Sequence, residues 1–142
     1  MLRRNLFIAG IAVIAGTAVP SRMAASQTPT SRTATLDEVK VAVLATTGYD
    51  RKSVEIAATK VQFVVTVVNS PLADQRSADR NMEASRIASA ISRTISAKAD
   101  FKSIQAIHVD YVKRTADGRS TKKVDAIDFR KDPQGNFQHH IT

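Results

Sequence analysis

The stretch SADRNMEASRIASAISRTISA, residues 77–97, decides the fold. Within it Ala84, Ile87, Ala88, Ile91 and Ile95 recur at three- and four-residue spacing, which at about 3.6 residues per turn places them on one narrow helical stripe. Arg86, Ser89, Arg93 and Ser96 turn away from that stripe. A helix patterned this way closes a core, and the apolar stripe calls for a sheet beneath it.

The flanking sequence supplies the strands. Residues 60–68 read as the surest one: Val61, Phe63, Val65 and Val67 share a face, while Val64, Thr66 and Val68 leave the other face partly apolar. Residues 53–57 form a second extended segment, joined to the first either by a tight hairpin through Ala58 and Thr59 or as one long bent strand. Asn69, Ser70 and Pro71 end this region, since Pro cannot donate to a ladder and Asn and Ser favour turns.

After the helix a period of two returns, with Gln105, Ile107, Val109 and Tyr111 alternating against Ala106, His108, Asp110 and Val112. Residues 115–119 turn the chain and 124–130 bring it back. A bulged turn with Gly118 as the left-handed residue pairs Thr115 with Arg119, and hence Ile107 with Ile127 and Gln105 with Phe129, keeping apolar beside apolar. The same register sets His108 opposite Ala126, and Ala106 opposite Asp128. A last turn over 132–136 leads to a short edge strand over 137–141.

Ahead of the sheet, Thr35 and Glu38 have capping-box spacing. A first helix is expected from there, with Leu36, Val39, Val43 and Leu44 near one face and Gly48 as its left-handed stop. The fold class is α+β: a small antiparallel sheet of three to five strands with two helices, in the order helix, strand or strands, helix, strand, strand. In element order alone this resembles the small phospholipid-associated envelope modules called BON domains, a likeness of topology that no motif in the chain accompanies.

Three segments divide the chain: a signal peptide over 1–26, a flexible polar tail over 27–34 and a single α+β domain over 35–142. Arg3 and Arg4 precede an apolar run from Leu6 to Val19 that is short and rich in Gly and Ala, and small residues at Ala24 and Ser26 suit cleavage after Ser26. The expected location is periplasmic or secreted, in a bacterial cell envelope. Arg3-Arg4-Asn5-Leu6-Phe7 also fits the twin-arginine export route. No transmembrane helix is expected in the mature chain.

Composition narrows the chemistry. The chain has 142 residues and a formal charge of +8, which falls to +5 when Arg3, Arg4 and Arg22 leave with the leader. That charge is scattered, without the dense basic patch of a nucleic-acid binder. Cysteine is absent, which removes disulfides, thiolate metal sites and Cys nucleophiles. Neither a nucleophile elbow nor a phosphate-binding glycine loop is present, and neither a cofactor nor a metal site is expected.

Two groups of residues remain as candidate sites. His108, Asp110 and Asp128 share one side of the hairpin and could serve as an acid-base set for a small metal-dependent or acid-base hydrolase, or else belong to a solvated face. Arg80 lies in line with Ala84, Ile87 and Ile91, close to the Asn69 turn. With Asn69 it could contact an anion at the helix N-terminus, or it could lay its stem over the core edge and reach solvent, Glu83 or the Asn69 turn. His139 and His140 are adjacent and point to opposite faces. The leading functional expectation is a non-enzymatic binding or interaction module acting through a sheet surface, with itself or another envelope protein as partner. Weak binding of anionic lipid or polysaccharide is the other alternative.

Overall fold

The computed structural model describes residues 21–142. Helix α1 (Ser21–Thr47) is followed by a hairpin of β1 (Val54–Ala58) and β2 (Gln62–Val68), then by α2 (Ser77–Ile95) and by the strands β3 (Ala106–Arg114), β4 (Thr121–Lys131) and β5 (Phe137–His140). Short 3-10 turns occupy Arg51–Ser53, Pro71–Asp74 and Ala99–Phe101. The signal peptide expected over 1–26 falls largely on residues 1–20, outside the described residues. No described helix is long and apolar enough to cross a membrane.

The α+β class and the order of elements are as the sequence predicts, but the sheet is mixed, not fully antiparallel. Its five strands lie in sequence order, and β2 pairs with β3 in parallel. The cause is α2. A 19-residue helix is about 28 Å long, enough to carry the chain from the end of one strand back to the start of its parallel neighbour. The other three pairings are antiparallel.

β1 and β2 are a hairpin, not a bent strand. Thr59 closes the turn: its N–H donates to Gln62 O at 2.9 Å, and its hydroxyl accepts from the N–H groups of Val61 and Gln62. The β3–β4 register differs from the expected one by two residues, so that Ile107 faces Phe129 and Val109 faces Ile127. One residue comes from the loop, where Thr115 N–H donates to Ser120 O at 2.9 Å. The second comes from an irregularity at Tyr111 and Val112, where the ladder skips Val124. Two single slips restore the facing of every side chain.

The first helix starts before Thr35. Thr35 is buried inside α1, and its hydroxyl donates to Ser31 O at 3.0 Å instead of capping an end. Glu38 pairs with Lys98 at 2.9 Å. The stretch 27–34, expected as a polar tail, falls within α1. There Arg32 donates to Thr59 O at 2.6 Å and to Asp100 O at 3.3 Å, and its guanidinium stacks 4.6 Å above the Phe101 ring. Gly48 ends the helix as expected, with φ of 74° and its N–H on Leu44 O at 2.8 Å.

All five stripe residues of α2 are buried, together with Val39 and Val43 of α1. Against them pack Phe63, Val65 and Val67 of β2, Ile107, Val109 and Tyr111 of β3, and Ile127 and Phe129 of β4. Phe63 stacks on Phe101 with ring centroids 5.4 Å apart. Burying Ile87, Ile91 and Ile95 contributes roughly 5–9 kcal/mol before chain entropy is subtracted. Both helices lie on this side of the sheet, α1 against α2 and β1, and α2 reaching β4 and β5.

Candidate functional site

On the helix side, the segment between β2 and α2 builds a polar cluster at the edge of the core. Asn69 adopts φ of 53° and acts as a surrogate strand residue: its amide donates to Arg114 O at 3.0 Å, and its Oδ1 accepts from Arg114 N–H at 2.8 Å. Ser70 accepts from Leu72 N–H at 3.0 Å and so caps the 3-10 turn. Arg80 is 8% exposed. Its Nε donates to Asp125 Oδ2 at 2.8 Å, and one terminal nitrogen donates to the carbonyls of Leu72 and Gln75 at 3.1 and 2.6 Å. Asn69 and Arg80 therefore turn to different partners and converge on no common point.

Glu83 goes to a different pair. Tyr49 O–H donates to its Oε2 at 2.8 Å and Tyr111 O–H donates to its Oε1 at 3.0 Å, while Ser70 Oγ lies 2.8 Å from the Tyr49 hydroxyl. Burial first, and Glu83 next to them, push both phenols up: Tyr49 to about 12 and Tyr111 further. Sequence reasoning had Glu83 only as a possible partner of Arg80. The signal was present, because Tyr111 falls in the apolar face of β3, and a buried phenol requires a hydrogen-bond partner.

The opposite side of the sheet carries His108, Asp110 and Asp128, which the structure does bring together. His108 faces Asp128 across the β3–β4 ladder. Its Nδ1 contacts Asp128 Oδ1, and its Nε2 lies 3.0 Å from Asp110 Oδ1. Lys123 Nζ is 2.9 Å from the same Asp110 oxygen. That oxygen is buried, and neither nitrogen is aligned with it as a full hydrogen bond, so the attraction there is chiefly ionic.

An acid oxygen stands beside each ring nitrogen of His108. The ring is thus bracketed by two carboxylates, and both of its nitrogens face protein oxygens. The two acids sit at opposite edges of the ring, and among the described residues no group of three His, Cys, Asp or Glu is placed to hold a metal ion. The cavities along α2 and at the β3–β4 corner are lined by other residues. His139 packs beside Phe129 at 5.6 Å on the helix side, and His140 stands opposite Asp128 in the ladder.

Around His108 the face is mixed. Val68 and Val112 are 8% and 6% exposed, and Val64, paired with His108, is half-buried. Arg114 reaches past β2 to grip Glu55 of β1 with two hydrogen bonds, at 2.7 and 3.3 Å. These hydrogen bonds hold the Glu55 carboxyl below its ordinary range. Comparison with protein-family models, with curated proteins and with solved structures finds no match to this chain.

Proposed function

We propose that the protein is a non-enzymatic interaction module of the cell envelope that associates with a second copy of itself through the open face of the sheet. The observation that carries this reading is that α1 and α2 lie on the same side, so that neither helix covers the opposite face, where Val64 and His108 are half-buried while Val68 and Val112 are already buried by their neighbours. A half-apolar sheet face of this kind is usually covered.

The charges on the face support a like partner. Glu55 is paired with Arg114, and Asp110 and Asp128 are paired with His108 and Lys123, so a second identical face meets little net charge. Most of the face can thus be buried without stranding an ion, the exception being Arg130, which is exposed beside Asp128 on the same face. Light scattering on the purified protein tests this. A dimer that Val64→Arg converts to a folded monomer is expected, and a wild-type monomer at the highest soluble concentration overturns the reading. Nothing in the geometry favours the hydrolase alternative, since the His108 imidazole is occupied at both nitrogens. Anionic ligands are favoured by a different part of the molecule, beside α2.

A further inference from the structure

Along the flank of α2 that faces β5, two adjoining cavities of about 200 and 210 Å³ share Ser92 and Phe137. The geometry points to a binding site for a small phosphate ester in this groove, with the phosphate held by Arg93, Lys102 and Lys131 and the organic part resting on Phe137. Lys102 and Lys131 line the first cavity and Arg93 the second, and no acidic residue lines either. None of the three forms an ion pair with a described residue, whereas Arg32, Arg80 and Arg114 are all spent on protein partners. Asp132, next to Lys131 in the chain, is consumed by its own turn, where it accepts from the N–H groups of Gln134 and Asn136.

Hydroxyls complete the donor set. Ser89 and Ser92 of α2 and Ser96, its C-cap, stand at spacings of three and four and therefore share a face. Ser96 donates to Arg93 O at 3.0 Å, while Ser89 and Ser92 have no protein partner among the described residues. Two hydroxyls without protein partners and three cations without ion-pair partners among the described residues match a phosphate, whose several acceptor oxygens take charge-assisted bonds. A carboxylate would leave part of this set unused. The end of α2 opposes an anion with a partial charge of about −0.5, which three full positive charges outweigh. Phe137 is half-buried on the edge strand, with Lys131 Nζ 5.5 Å from its ring centroid. It gives the groove an apolar wall that inorganic phosphate would not need.

This site is independent of the open sheet face and stands whether or not the protein dimerises. Amide chemical-shift titration of the full chain with inorganic phosphate and with glycerol phosphate tests it. Saturable shifts over residues 89–96, 102 and 131–137 are expected, with the ester binding more tightly than the inorganic ion. Arg93→Gln and Lys131→Gln should each weaken binding about tenfold, as expected for loss of a charge-assisted hydrogen bond. Lys122→Gln, on the β3–β4 corner, should leave affinity unchanged, and Phe137→Ala should abolish the preference for the ester. Shifts spread evenly over the basic surface, or equal weakening by all three charge changes, overturn the site. Equal affinity for ester and inorganic phosphate overturns the role of Phe137. Binding to anionic vesicles without response to the soluble ester overturns the small-ester assignment.

Discussion

Arg80 Nε donates to Asp125 Oδ2 at 2.8 Å, which ties the first turn of α2 to β4 across 45 residues of sequence. The guanidinium sits at the top of the apolar stripe, where solvent cannot replace its partners. Arg80→Ala strands Asp125 and two carbonyls, so a loss of about 3 kcal/mol is expected in chemical denaturation. Asp125→Asn should cost less, because Asp125 is a quarter exposed and the amide still accepts one hydrogen bond. Equal stability of Arg80→Ala and the wild type would remove this pair from the account of the fold.

The phenols of Tyr49 and Tyr111 set an alkaline limit. Tyr49 rises from the ordinary 10.0 to about 12 in the folded chain, chiefly through burial, with Glu83 adding to the effect. A folded value above the unfolded one means that the unfolded chain loses its proton first. The stability from the neutral phenol is therefore complete below pH 10 and drains away as pH climbs toward 12. Denaturation midpoints at about pH 9 and about pH 11 should show a drop that Tyr49→Phe reduces, from a lower starting stability.

The His108 bridge holds β3 to β4 on the open face. His108→Ala leaves Asp110 with Lys123 alone and Asp128 without the imidazole, for an expected loss of about 1–2 kcal/mol. Replacing His108, Asp110 and Asp128 together with Ala should alter neither metal content nor any hydrolysis the protein shows. A variant that keeps its stability but loses activity would point instead to catalysis at these residues.

Gly48 and Asn69 both occupy the left-handed region, for different reasons. At Gly48 nothing lies within 4 Å of an added Cβ, so Gly48→Ala pays only backbone strain, about 1 kcal/mol. Gly48→Asn should recover part of that loss. Asn69→Gly tolerates the same backbone but surrenders both hydrogen bonds to Arg114, and a larger loss of about 2 kcal/mol is expected. Thermal unfolding of the three variants ranks them.

Local periodicity determined most of the elements. The α2 stripe, the alternating faces of β2 and β3, the turn at Gly118 and the glycine stop after α1 follow from spacings of two to four residues, and packing does not change them. The faces of His108, Asp110 and Asp128 were legible in the same way. Capping at Thr35 failed because a hydroxyl followed by Glu three residues later is satisfied equally well inside a helix, by a bond back to Ser31.

Tertiary structure decided the rest, because each remaining question concerned groups far apart in the chain. Parallel pairing of β2 with β3 depends on how a helix returns over the sheet, and the two-residue change of register depends on one loop residue and one skipped ladder position. The register brings Asp128 to His108 in place of Ala126. The partners of Glu83 lie 34 and 28 residues away, and their identity depends on which buried hydroxyls reach the carboxylate once the core has closed. Sequence carries the faces because side-chain direction repeats with the backbone. Only the packed chain assigns partners across them, since a buried donor or charge takes whichever complementary group the fold brings within reach.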